Sequence, residues 1–156
     1  MSDQPAVTLR DITRANWRAC VALTPAPAQE HFVASNAVSL AQAAYEPGWT
    51  PQGIYAGEVM VGFIMYGLTA EDPAHWVLRL MVDQRHQRQG YGHAALAEAI
   101  QRMTARPDCH EIAISYEFDN EVARALYLSL GFRETGETIE DETVARLAVV
   151  RDGAKS

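Results

Sequence analysis

Between the apolar run 76–82 (WVLRLMV) and a helix-patterned segment opening near Gly90 lies Gln87-Arg88-Gln89-Gly90-Tyr91-Gly92-His93. Two glycines let backbone N–H groups approach an anion closely. A helix N-terminus adds about half a positive charge and several unpaired amide donors. Strand, glycine turn and helix in that order suit a pyrophosphate. Arg85 and Arg88 flank His86 and make this the most basic stretch of an acidic chain, able to add charge-assisted contacts to phosphate oxygens. Three readings compete: an ordinary tight turn, a dinucleotide fingerprint, and a cradle for another pyrophosphate. Nucleotide hydrolysis of the GxxxxGK[ST] type is excluded, since the chain has no Gly-Lys pair. Residues 90–95 (GYGHAA) satisfy the loose dinucleotide pattern GxGxxA, but that fold needs several further strand–helix units and only 66 residues follow Gly90. The acidic residue that should end the next strand is also missing; Glu111 begins it instead.

Periodicity gives the elements that must hold this turn. Residues 7–12 alternate as a short strand, and Thr13 is placed to cap a helix over 15–23. The prolines of 24–29 mark a loop, after which helical spacing runs from about 30 to 45. EPGWTP (46–51) breaks that helix. Strands are expected over 53–56 and 59–67, joined by the hairpin pair Gly57-Glu58. Residues 70–73 turn into a fourth strand over 75–82. A long helix over 90–104 carries Leu96, Ile100 and Met103 on one face, and a buried strand follows over 111–116. A helix over 120–130 stops at Gly131, and the last strands are 132–137 and 143–150. The order β α α β β β α β α β β predicts one α/β (α+β) domain over 1–156, with a mixed, mostly antiparallel sheet of about seven strands and helices on both faces.

Composition narrows the partners. Hydrophobic content of 48% and charged content of 21% are ordinary for a soluble globular chain. No run reaches the length of a membrane span, and MSDQPAVTLRD has neither a basic leader nor an apolar h-region. Cys20 and Cys109 lack framework spacing, so reduced thiols and a cytoplasmic location are expected. A net charge of −7 argues against nucleic acid and is compatible with a cationic ligand, or simply with solubility. His86 and His93 are seven apart and Cys109 and His110 adjacent, so no metal is expected.

The same glycine turn also satisfies Gln/Arg-x-x-Gly-x-Gly/Ala. Residues 120–132 (NEVARALYLSLGF) satisfy N-x-x-A-x-x-x-Y-x-x-x-G-F at Asn120, Ala123, Tyr127, Gly131 and Phe132. About 30 residues apart and flanked by the right strands, the two motifs resemble those of the GNAT N-acetyltransferase superfamily. The element order resembles that fold over nearly the whole chain. Residues 39–47, 53–67 and 76–92 are similar to bacterial diamine and polyamine (spermidine/spermine) acetyltransferases. The resemblance implies acetyl-CoA as cosubstrate. Backbone amides of Arg88 to His93 would hold its pyrophosphate, within a cofactor set of Gln87, Arg88, Gln89, Gly90, Tyr91, Gly92, His93 and Arg124. The strand edge at Leu80, Met81 and Val82 would pair with the pantetheine amides, where the fourth and fifth strands splay to admit the thioester. Asn120 would touch the pantetheine arm while capping its helix. Tyr127 would protonate the leaving thiolate.

Transfer to an amine carries a second proton requirement. An alkyl amine titrates near ~10.4, so at pH 7 about one molecule in ~10^3.4 is free base, and reaching it costs roughly 4–5 kcal/mol. A base, or a water chain to one, must take that proton. The family often places a Glu on the fourth strand, but here Arg79 stands there and cannot serve. His75 is the titratable base on that strand; Glu117 and Asp119 follow the fifth. Acceptor contacts are expected from Glu30, Asn36, Glu46 and Glu117, with Tyr45 and Trp49 able to cradle an alkyl chain or a cation. ETGETIEDE (134–142) carries five carboxylates in nine residues and reads as a solvated hairpin, a polyamine-attracting surface or a dimer loop. With no Cys placed near the motif as a nucleophile, direct attack is expected. The acceptor would be a primary amine, above all a small di- or polyamine. A protein N-terminus, an amino acid, an aminoglycoside, or a non-catalytic acyl-CoA sensor role stand as alternatives. No nucleic acid or membrane partner is expected, and a homodimer is what the resemblance to an often dimeric family implies.

Overall fold

The computed structural model describes residues 6–28 and 34–150. Along the chain run β1 (Thr8–Asp11), α1 (Trp17–Ala22), α2 (Asn36–Tyr45), β2 (Trp49–Ala56), β3 (Val59–Leu68), β4 (His75–Val82), α3 (Tyr91–Thr104), β5 (Glu111–Glu117), α4 (Glu121–Ser129), β6 (Arg133–Ile139) and β7 (Glu142–Ala148). The strands form one sheet in the order β1-β2-β3-β4-β5-β7-β6. Every pairing is antiparallel except β4 with β5, which α3 connects as a crossover. The α/β class and the element order are those expected from the sequence.

Both faces of the sheet are covered. Beneath one face, Ala95, Leu96, Ala99 and Met103 of α3 and Tyr127 of α4 pack on Val77, Ile112, Ile114 and Tyr116. The other face buries Phe63, Met65 and Met81 against Cys20 and Leu23, with Leu40 and Ala43 of α2 at its margin. Burial without a charged partner pushes the Cys20 thiol up to about 12, so it stays protonated.

Three boundaries differ from the sequence reading. The first helix starts at Trp17 because Asn16 Oδ1 accepts the Thr13 N–H at 2.7 Å and Thr13 Oγ1 accepts that of Ala15 at 3.2 Å, closing a turn ahead of the helix. Ser35 caps α2 by accepting the Val38 N–H at 3.2 Å, so α2 opens at Asn36; residues 29–33, with Glu30, lie outside the described residues. β2 begins at Trp49, inside the segment read as a break. There the backbones of Gly48 and Gly67 pass so close that a Cβ on Gly67 would sit 1.9 Å from the Gly48 carbonyl oxygen. Pro51 is tolerated because it lies at the end of the β1 pairing, where its carbonyl still accepts the Ile12 N–H at 3.4 Å and no donor is needed from its nitrogen.

His75 is buried at 2% exposure, and neither ring nitrogen has a hydrogen-bond partner among the described residues. Burial holds its pKa below the ordinary value, outweighing the pull of Asp108. The unfolded chain therefore binds more protons than the folded one near and below pH ~6.5, so stability is full above that pH and declines as pH falls through it. Urea melts at about pH 7.5 and about pH 5.5 are expected to show this decline in the wild type and a smaller one in His75→Phe. An equal decline in both proteins would assign it to other groups.

Candidate active site

The parallel β4–β5 ladder is short. His75, Trp76 and Val77 pair with Ile112, Ala113 and Ile114, and pairing stops there. At that point the β3–β4 register shifts: Met65 faces Arg79 and Tyr66 faces Val77, leaving Leu78 as an extra residue in β4. Such a bulge bends its strand and sets two successive side chains on one face. Accordingly Leu78 packs with the α2-side cluster and Arg79 also reaches α2. Beyond the bulge β4 stays with β3 and leaves β5, opening a V.

The polarity of the open edge follows from the ladder. Asp83 donates its N–H to Val61 O at 2.8 Å, which makes that opposed pair a hydrogen-bonded one. Alternation then makes Met81 opposite Phe63 hydrogen-bonded, while Leu80 and Val82 point their amide groups into the V. Of the three strand residues expected to meet pantetheine, Leu80 and Val82 thus present backbone to the gap. Met81 spends its backbone on β3 and packs its side chain in the α2-side core, while still lining the cleft with its two neighbours. Gln87 Nε2 donates to Val82 O at 2.9 Å and ties the following turn to the strand end.

That turn is built around two left-handed residues, Arg88 at φ 65 and Gly90 at φ 82, the latter capping α3. Left-handed residues among right-handed or extended ones curl successive N–H groups to one side, the geometry of an anion nest. Asp83, almost fully buried, anchors the turn: its carboxylate accepts the N–H of Thr24 at 2.9 Å and that of Arg85 at 3.2 Å, and pairs with Arg85 Nε at 2.8 Å. Burial alone would raise its pKa, but these donors together hold it below the ordinary carboxylate value.

A continuous cleft of about 1420 Å³ runs through the V. Gln87, Arg88, Gly90, Tyr91 and Gly92 line it at the turn, Leu80, Met81 and Val82 along the strand, and Asn120 and Tyr127 from α4. Asn120 Oδ1 accepts the Ala123 N–H at 3.2 Å, so it caps α4 while facing the cleft. Tyr127 is buried, its ring 5.3 Å from that of Tyr116 and 6.1 Å from Phe132. Desolvation, with a smaller push from Glu142, raises its pKa, so the phenol keeps its proton throughout the neutral range.

Several expected residues stand elsewhere. Gln89 and His93 do not line the cleft, although both belong to the turn and its helix. Arg124 lies outside it, with Nε 2.8 Å from Glu134, which also accepts the Tyr116 hydroxyl. Glu46 is exposed and outside the lining, its carboxylate taken by Gln42 at 3.0 Å and Trp49 Nε1 at 3.2 Å. Asn36 is buried, donating to Cys20 O at 2.9 Å. Tyr45 is 86% exposed. His75 sits in the paired base of the V, outside the lining, and so cannot meet an acceptor there. Glu117 and Trp49 do line the cleft.

The half of the cleft facing α2 holds side chains that sequence reasoning missed. Arg79 Nε donates to Ser39 at 3.1 Å and Nη2 to Gln42 at 3.1 Å, so the buried face of α2 is polar because it must satisfy a guanidinium. Arg146 binds Asp72 at 2.9 Å, Glu111 at 2.8 Å and Glu137 at 2.8 Å, and lies 5.6 Å from the Trp76 ring. These bonds, led by that to Asp72, raise its pKa, and they join the β3–β4 turn, β5 and β6 at one point. Glu71, Glu117, Glu140 and Glu142 also line this half and are not engaged by Arg146.

A strand–turn–helix nest feeding a split between two parallel strands, with a buried phenol beneath, is the architecture of a CoA-dependent acyltransferase. Residues 8–132 match the Acetyltransferase (GNAT) family; the chain belongs to it and is an acetyl-CoA-dependent N-acetyltransferase. It is 30% identical over 138 residues to the spermine/spermidine N(1)-acetyltransferase of Bacillus subtilis (strain 168), spanning 85% of this chain and 91% of that one. The spermidine N-acetyltransferase of Vibrio cholerae, solved with CoA and spermine, superposes with a TM-score of 0.70 at 16% identity, covering 90% of this chain and 92% of that one. The ribosomal-protein-S18-alanine N-acetyltransferase of Escherichia coli superposes at 0.71 and 19% identity, covering 97% and 99%. Among the described residues no helix is long and apolar enough to cross a membrane, and no group of three His, Cys, Asp or Glu is placed to hold a metal.

Proposed function

We propose that the enzyme acetylates a small di- or polyamine by direct attack within the V. The observation that carries this reading is the charge of the α2-facing half of the cleft: six carboxylates line it against the two guanidinium groups of Arg79 and Arg146. After Arg146 has taken Asp72 and Glu137, four carboxylates are left to hold a polycation beside the faces of Trp49 and Trp76. The B. subtilis relative supports the same substrate class.

In this reading the nest of Arg88 to Gly92 holds the pyrophosphate. Leu80 and Val82 extend their ladder to the pantetheine amides, and Asn120 meets the arm. The amine attacks the thioester carbonyl from the α2 side. Tyr127, on the opposite side and held neutral, gives its proton to the departing sulfur and regains one from the tetrahedral ammonium. Phosphate contacts are assigned to Arg88 rather than Arg85, which Asp83 holds. The chain is further taken as one cytoplasmic domain that pairs as a homodimer, the fully exposed strand β6 being its free sheet edge.

Arg79, a guanidinium on the lining of the cleft, favours a second reading, an acceptor bearing a carbonyl or carboxylate such as a peptide N-terminus. A kcat/KM comparison separates the two. Spermidine and spermine are expected to exceed lysine and an alanine-initiated peptide at least tenfold, with KM for spermidine rising as salt goes from about 0.05 to about 0.5 M. Preference for the peptide, with a salt-independent KM, would replace the first reading by the second.

A further inference from the structure

The family's frequent base position holds Arg79, and His75 is out of reach, so the ammonium proton needs another destination. β7 runs antiparallel to β5 with Glu142 opposite Glu117 and Val144 opposite Ser115. Val144 packs with Trp76 on the α2 side of the sheet, and alternation sends Ser115 and Glu142 to that same side. Ser115 Oγ donates to Glu142 Oε1 at 2.7 Å, and both residues line the cleft just past Ile114, where the V opens. Glu142 also makes itself felt on both flanks of the split: its charge further raises the Tyr127 phenol and favours the charged form of Arg79 against its burial.

We propose that Ser115 and Glu142 form the proton relay that deprotonates the incoming ammonium. The ammonium N–H bond breaks as its proton passes to Ser115 Oγ, while the proton already on Ser115 passes to Glu142. The freed lone pair forms the C–N bond to the thioester carbon, the C–S bond breaks, and the sulfur takes the Tyr127 proton. The second amine proton restores Tyr127, and Glu142 releases its proton to solvent, so one proton is lost per turnover. The relay rests on transfer occurring in the V over Tyr127, but not on which alkylamine is the acceptor.

The test compares wild type, Glu142→Gln and Ser115→Ala across pH, using whichever amine the wild type turns over best. The charged groups facing Glu142 are Glu117 of β5, Arg79 of β4, Glu137 of β6, Glu140 and Asp141 of the preceding turn, and Tyr127 of α4. A slope of nearly one decade per pH unit between about pH 7 and about pH 9 is that of the acceptor's own free-amine fraction. Glu142→Gln is expected to lose about 100-fold in kcat/KM near pH 7 and to recover nearly tenfold per pH unit, as free amine substitutes for the missing base. Ser115→Ala is expected to show the same slope with a smaller loss, and both variants to bind acetyl-CoA like the wild type. A loss in both that is constant across pH, activity within about twofold of wild type, or a matching fall in acetyl-CoA affinity would overturn the relay. If the wild type ignores polyamines but acetylates another amine, the polyamine reading fails and the relay is tested with that amine.

Discussion

Tyr127→Phe is expected to cut kcat at least tenfold while leaving acetyl-CoA affinity and thermal stability where they are. The ring fills its place against Tyr116 and Phe132 in either form. The hydroxyl makes no hydrogen bond among the described residues, so deleting it orphans no partner. What is lost is the one proton donor that α4 holds beneath the V. A positioned acid contributes about 10²- to 10⁴-fold, and tenfold is the least that would mark it as the acid here. Stopped assays for free CoA thiol, with calorimetric melts on the same samples, decide the matter. Unchanged kcat would remove Tyr127 from the chemistry, and a lowered melting temperature would make any loss structural.

The second large effect concerns the turn. Gly90 holds φ 82, a conformation costing an L-residue roughly 1–2 kcal/mol. Gly90→Ala is therefore expected to relax the turn out of its nest and weaken acetyl-CoA binding about tenfold, each ~1.4 kcal/mol being a factor of ten. Gly92 is the control. It stands inside α3, and a Cβ there would lie 3.6 Å from Val82 Cγ2 and 3.8 Å from Leu126 Cδ2, ordinary contacts that need nothing to move. Titration calorimetry with CoA should rank Gly92→Ala near wild type and Gly90→Ala well below it. Equal losses would mean that the glycines act by leaving room for the ligand rather than by backbone conformation.

What the sequence disclosed was local. β4, α3 and α4 carry clear periodicity and end in recognisable caps or glycines, and the residues of the CoA half of the cleft lie on them. The bounds of α1 escaped because Thr13 and Asn16 satisfy each other in a turn that looks like a cap from sequence alone. The facing of α2 does not follow apolar content: Val38 is 56% exposed while Asn36 and Ser39 are buried, the one bound to Cys20 O and the other to the Arg79 guanidinium. Apart from Glu117 and Trp49, the half of the cleft proposed for the acceptor was hidden for a different reason. Ser115 meets Glu142, and Arg146 meets Asp72, only through the β5–β7 pairing and the β3–β4 turn. No periodicity encodes contacts between residues 27 and 74 positions apart. For the same reason the carboxylates of 134–142, read as one acidic tail, divide by partner. Glu134 belongs to Arg124, Glu137 to Arg146, and Glu142 to Ser115.

The central claim is that the acetyl group passes from CoA sulfur to an amine nitrogen within the split of the sheet. Acetyl-CoA carrying a carbon-13 label at the carbonyl, incubated with spermidine and followed by NMR, tests it most directly. The label is expected to leave the thioester and appear as a spermidine amide in step with free CoA, with neither product forming when the amine is omitted. Label that stays in the thioester when spermidine and every other amine are offered, or that emerges as acetate, would contradict the account.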